Sequence, residues 1–138
     1  SFKNNVGRFV SEYGFQSYPD SALLAKYIDP KELYLGSPAL GHLQRSYKTD
    51  KPIWEAMERE LGESPTNLGG FIEGSQRVQA KAYGMAIEAH MAAQPHCMGT
   101  MLWQLNDCWP GPSWSIIDFE GDPKPPYEVV KKLYSARP

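Results

Sequence analysis

Two runs of strand-forming residues, RFVSEYGF at 8–15 and MGTMLWQL at 98–105, flank a long stretch of helical sequence. That order restricts the fold more than any other feature. The second run is apolar on both of its faces, which suits a parallel strand covered from both sides. Between the runs, from about 68 to 94, Phe71, Ser75, Val78, Ala82, Met85, Ala89 and Ala93 fall on one helical stripe that Pro95 ends. Glu73, Arg77, Lys81 and Glu88 lie off the stripe, and both glutamates read as solvated. Strand, helical crossover, strand and closing helix fit a right-handed β-α-β unit with parallel strands. Two parallel strands cannot cover their own faces, so the chain reads as part of a larger α/β domain. Its 138 residues amount to one domain at most. It begins Ser-Phe-Lys rather than with Met, as a processed or excised piece would.

Local signals place the shorter elements. Pro19 and Asp20-Ser21 form a turn feeding a short helix over 22–27, and 29–47 reads as loop, punctuated by Pro30, Gly36, Pro38 and Gly41. Asp50 is the N-cap of a helix that carries Ile53, Trp54, Met57 and Leu61 on one face and stops at Gly62. Residues 110–126 are loop, and a last helix over 127–134 starts at Pro125-Pro126, with Lys131, Lys132 and Arg137 toward its negative end. Fourteen basic against sixteen acidic residues leave a net charge of −2, which carries no nucleic-acid footprint. Hydrophobic residues at 41% argue against disorder. No apolar run reaches the ~18 residues of a membrane span, and no signal peptide opens the chain. Cys97 and Cys108 are too few for a disulfide scaffold.

In parallel α/β folds, chemistry gathers at the C-terminal ends of the strands. The first strand ends near Glu12, with Tyr13 and Gln16 beside it; the second ends near Trp103, Gln104, Asn106 and Asp107. A glutamate in an apolar strand is costly to bury alone, so Glu12 is either a catalytic carboxylate or half of a buried ion pair with Arg or Lys. Asp107 reads as a turn residue bonded to loop backbone. His42, His90, His96 and Cys97 lack metal-ligand spacing, and Cys108 has no base partner in view. There is no phosphate-binding glycine loop and no Gly-x-Ser-x-Gly elbow.

Three segments carry a family resemblance. SEYGFQSYP around Glu12 resembles the nucleophile segment of the β-mannosidase branch of the family-2 glycoside hydrolases. EGSQRVQAKAYGMAIEAHMAAQP resembles a helix of the same enzymes. GTMLWQLNDCWPGPSWSIIDFEGDPKPPYEVVKKLY resembles their last barrel strand, its loop and the last helix, and the three segments come in the family's order. The β-galactosidases and β-glucuronidases share the Glu-Tyr/Phe-Gly idea but not the WQLNDCWP strand end, which favours the mannosidase branch. The likeness covers nearly the whole chain and is weakest over 29–62.

The resemblance implies a fragment of a (β/α)8 barrel, strands seven and eight with their helices, without the family's N-terminal β-sandwich domains and earlier strands. It implies a retaining hydrolase of terminal β-D-mannose, with Glu12 as nucleophile and no metal or organic cofactor. The family's acid/base lies in an Asn-Glu pair on an earlier strand, which this sequence lacks, so the chain by itself is expected to be inactive. Trp103 matches the tryptophan that floors the sugar subsite, in place of the core tryptophan that its spacing suggests, and a non-proline cis peptide is implied between Trp103 and Gln104. Tyr13, Asn106 and Trp109 stand as further substrate contacts; for Trp109 and Trp114 the other reading is loop packing. Implied partners are a β-mannoside oligosaccharide and the rest of the barrel, or self-association through bare strand edges, with no nucleic acid and no membrane. Compartment stays open, periplasmic or extracellular in bacterial members and lysosomal in animal ones. Two other functions remain: a non-catalytic carbohydrate-binding or interaction module, and a sister galactosidase or glucuronidase specificity.

Overall fold

The computed structural model describes residues 5–136; Arg137, assigned above to the end of the last helix, lies outside them. The chain runs β1 (Phe9–Val10), α1 (Ser21–Tyr27), a 3-10 turn (Pro30–Glu32), α2 (Pro38–Leu43), α3 (Lys51–Leu61), α4 (Leu68–Ala92), β2 (Gly99–Thr100) and α5 (Pro126–Ser135). β1 and β2 pair in parallel, Phe9 opposite Gly99 and Val10 opposite Thr100. A mixed helix-and-strand fold with two parallel strands is what the order of elements predicts.

The regular strands are far shorter than the predicted 8–15 and 98–105. Backbone bonds nevertheless continue beyond them, from Met98 N–H to Arg8 O (3.0 Å), Met101 N–H to Val10 O (2.9 Å) and Trp103 N–H to Tyr13 O (2.7 Å). From Met101 to Trp103 the pairing passes one residue, Leu102, whereas from Val10 to Tyr13 it passes Ser11 and Glu12. That mismatch is a bulge on the first strand, and it interrupts the ladder. Burial on both faces is also not met. The helix side is covered, Val10 and Leu102 packing against a cluster around Tyr83, Ile87 and Val130. The other side is open, leaving Phe9 60%, Met101 56%, Trp103 52% and Leu105 56% exposed. The described residues hold only these two strands.

α4 organises the rest. Its first half packs on α3 around Phe71, Met57 and Ile53, and its second half packs on α5 beside the strands. Gly74 permits the first contact, since a Cβ there would lie 2.2 Å from Met57 Cε. The predicted stripe is rotated in fact: Ala82, Met85 and Ala89 are half-buried, while Gln76, Gln79, Tyr83, Ile87 and His90 are buried. A helix gripped by three neighbours buries more than one stripe. Glu73 and Glu88 are exposed as predicted.

α3 ends at Gly62, which takes the left-handed conformation (φ 66°) that glycine adopts without a side-chain clash. Asp50 is the N-cap residue of α3 as predicted, but its side chain makes no cap bond; the carboxylate instead accepts from the Tyr18 hydroxyl (2.8 Å) and the Gln44 amide (2.5 Å). Helix α2 replaces part of the predicted 29–47 loop. Ser37 caps it through its side chain, accepting from Leu40 N–H (3.2 Å), and Pro38 fits its first turn.

Candidate active site

The bulge decides where Glu12 points. Without the extra residue, Glu12 would share the helix-facing side with Val10; instead Tyr13 takes that side. Tyr13 is buried, its ring edge-on to His90 (4.8 Å between centroids) and tilted against Tyr83 (5.9 Å), with its hydroxyl 3.3 Å from that of Tyr134. Tyr13 is thus packed against the helices while still lining the cleft that Glu12 borders. Glu12 is exposed and borders an open cleft of about 710 Å³ that Phe15, Arg59, Lys81 and Met85 also line. Arg59 and Lys81 are both engaged by Glu60, at 2.9 and 3.0 Å, and among the described residues no ion pair reaches Glu12. Among the described residues, the buried ion pair that was the other reading of Glu12 is not formed.

Trp103 ends the second strand on the open face, with its ring half exposed, so it is not a core tryptophan. The Trp103–Gln104 peptide is cis, as the resemblance implies. Two groups close around the Trp103 carbonyl. The buried Tyr83 hydroxyl donates to it at 2.6 Å and lies equally close to the Trp114 carbonyl. Gly14 approaches from the first strand, where a Cβ would stand 2.1 Å from the Trp103 oxygen and 2.7 Å from the Tyr83 hydroxyl. Only glycine fits that gap. Gln104 N–H then bonds Trp114 O (3.2 Å), turning the following loop back over the strand end.

Asn106 is exposed, its carbonyl accepting from the Gln104 amide (3.1 Å). Asp107 does not bond loop backbone through its carboxylate. Its Oδ2 accepts from the Ser113 and Ser115 hydroxyls, at 2.7 and 2.6 Å, and burial raises the carboxyl above its usual range despite those bonds. Beneath it, buried Lys124 donates to Ser17 O at 3.5 Å. Burial pulls the Lys124 ammonium down to about 8, opposed by the charges of Asp107, Asp118 and Asp20. Trp109 is a loop-packing residue: its N–H donates to Leu43 O (2.9 Å) and the Arg45 guanidinium covers its ring (4.7 Å). Its predicted substrate contact has no free ring face on that side. Glu12, Trp103 and Asn106 are each exposed, while Tyr13 is buried and Trp109 is half-buried.

A second layer of the site went unseen in the sequence. Gln79 on α4 is wholly buried, accepts from the Ser17 hydroxyl (2.6 Å) and donates to Phe15 O (2.9 Å) and Ser115 O (3.0 Å). Ser75, one turn earlier, accepts from Tyr18 N–H (3.1 Å). Ser75, Gln79 and Tyr83 recur every fourth residue, and that polar periodicity was the available signal. No three His, Cys, Asp or Glu side chains gather as metal ligands among the described residues, and no helix there is long and apolar enough to cross a membrane.

No protein-family model matches the chain. β-Mannosidase B of Thermothelomyces thermophilus is 30% identical over 96% of this chain and 16% of its own length. β-Mannosidase B of Aspergillus niger is 31% identical over 92% of this chain and 15% of its own length. The crystal structure of β-D-mannosidase from Dictyoglomus thermophilum superposes with a TM-score of 0.89 at 32% identity, covering 96% of this chain and 16% of that one. An exo-β-D-glucosaminidase shares the fold, with a TM-score of 0.73 at 23% identity over 91% of this chain and 16% of that one. With these matches the chain fits the family-2 glycoside hydrolases that its motifs resemble. Within that family it is similar to the β-mannosidases, and it spans about 16% of the length of the relatives it matches.

Proposed function

We propose that this chain is the C-terminal portion of a (β/α)8 barrel, its strands seven and eight, in a retaining exo-acting β-mannosidase. Supporting this are the positions of Glu12 and Trp103 near the ends of two paired parallel strands, in a chain similar to a β-D-mannosidase over 96% of its length. Glu12 attacks the anomeric carbon of a terminal β-D-mannose, forming a glycosyl ester as the glycosidic C–O bond breaks. A second carboxylate protonates the departing oxygen, then takes a proton from the water that hydrolyses the ester, so the β configuration is kept. Retaining enzymes hold the two carboxyls ~5–5.5 Å apart. The reading assigns the second one to polypeptide outside this sequence, which leaves the chain alone without hydrolytic activity. Trp103 offers its apolar ring face to the C–H face of the sugar. The rest of the barrel is the partner that covers the open strand face.

The test is intact-mass analysis after incubation with 2-deoxy-2-fluoro-β-D-mannosyl fluoride, whose fluoride leaves without acid assistance. An adduct mapped to Glu12, and abolished in Glu12→Gln, is the expected result. If this chain and a polypeptide carrying it at the full length of its relatives both fail to label, the reading is wrong and a non-catalytic binding module takes its place.

A further inference from the structure

We propose that Tyr83 is the positioning residue of this site, its hydroxyl setting the Trp103 indole relative to the strand that carries Glu12. The proposal rests on the reading of Glu12 and Trp103 as a glycosidase centre. Tyr83 touches neither side chain. It acts on backbone, at the one point where three segments of the site meet.

The hydroxyl has a single proton and two carbonyl oxygens at 2.6 Å, those of Trp103 and Trp114. Gln104 N–H also reaches Trp114 O, at 3.2 Å, whereas Tyr83 is the donor that meets Trp103 O. The Trp103 carbonyl is thereby aimed into the protein, and the indole beyond it is left on the open face. Gly14, two residues after Glu12, fills the remaining side of the same oxygen, so the first strand and Trp103 are registered through one atom. The Tyr83 ring is itself held: it is 1% exposed and packs against Tyr13, which follows Glu12 directly. Gln79, a turn earlier on α4, ties Phe15 and Ser115 on either side of this junction. A rigid helix thus carries the donor that sets both halves of the site. Packing by the ring alone would not require the hydroxyl, and that difference separates positioning from bulk.

Tyr83→Phe keeps the ring and removes only the donor. The chain has four tryptophans, and 5-fluorotryptophan labelling gives each a fluorine resonance that single Trp→Phe variants assign. Tyr83→Phe is expected to shift the Trp103 and Trp114 resonances while those of Trp54, stacked on Phe71, and Trp109, bonded to Leu43, stay in place. The rate of Glu12 labelling by 2-deoxy-2-fluoro-β-D-mannosyl fluoride at saturation is expected to fall at least tenfold. An unmoved Trp103 resonance with labelling as fast as before overturns the proposal. Absence of label both in the unsubstituted chain and in a polypeptide carrying it at the full length of its relatives overturns the glycosidase reading instead, and the fluorine spectrum then decides the placement alone. Should Tyr83→Phe collapse all four resonances, Gly14→Ala displaces the same carbonyl with the hydroxyl kept, and an unshifted Trp103 there also sinks the idea.

Discussion

Lys124 shows how one residue beneath the site ties its stability to pH. Its ammonium is buried, and its proton is lost near pH 8 in the folded chain against an ordinary 10.5. Between those values the unfolded chain binds more protons than the folded one, so stability rises with pH. Below pH 8 the full cost of burying the charge is present, on the order of 3 kcal/mol at about 1.4 kcal/mol per unit of pKa. Above pH 10 the direction reverses, because burial raises the hydroxyl pKa values of Tyr13, Tyr18 and Tyr83 and the folded chain then holds more protons. Urea midpoints should therefore climb from pH 8 to 10 and then drop, and the climb should vanish in Lys124→Met. A climb that survives the substitution would assign it to another group. Glu12 and Trp103 were legible in the sequence because a charge and an indole at strand ends stand out against apolar neighbours. Lys124 was not, since a lysine in a Pro-rich loop looks solvated until the fold closes over it.

At the scale of elements, α4 buries polar side chains beside the predicted stripe. Ser75, Gln79 and Tyr83 satisfy backbone groups of the segments that leave the two strands. These segments pair with each other only at the Ser17–Ser113 bridge, so the helix supplies further partners. Gln79→Ala strands the Ser17 hydroxyl and the carbonyls of Phe15 and Ser115. Each buried group left unpaired costs ~1–3 kcal/mol, so a loss of about 3 kcal/mol or more is expected in urea unfolding. A change below ~1 kcal/mol would mean that water replaces the amide. Helices α3, α4 and α5 were legible from caps, prolines and spacing. Helix α2 was not, because six residues are too few for a periodic pattern. The strand lengths were overread because composition cannot reveal a bulge.

For the molecule as a whole, the open strand face governs behaviour in solution. Phe9, Met101, Trp103 and Leu105 are all exposed there, and apolar surface of this kind marks an interface. The paired strands also have outer edges free of any further strand among the described residues, and such edges invite pairing with another chain. Sedimentation velocity should show association that grows with protein concentration. Met101→Lys combined with Leu105→Lys should shift it toward monomer, without touching the helix-side core. A wild-type chain that sediments as a monomer throughout would place the association surface in doubt, along with the covering role proposed for the rest of a barrel.

Sequence by itself determined the order of elements, the parallel strands, the family likeness and the two side chains on which the proposed chemistry rests. These follow from local residue type and spacing, which act before any long-range contact forms. Tertiary structure alone decided how those side chains are held. The bulge that turns Glu12 out and Tyr13 in, the packing of Trp109 beneath Arg45, and the grip of Tyr83 on Trp103 each join residues far apart in the chain. Such contacts depend on which backbone groups a fold leaves unpaired, and no single stretch of sequence records that.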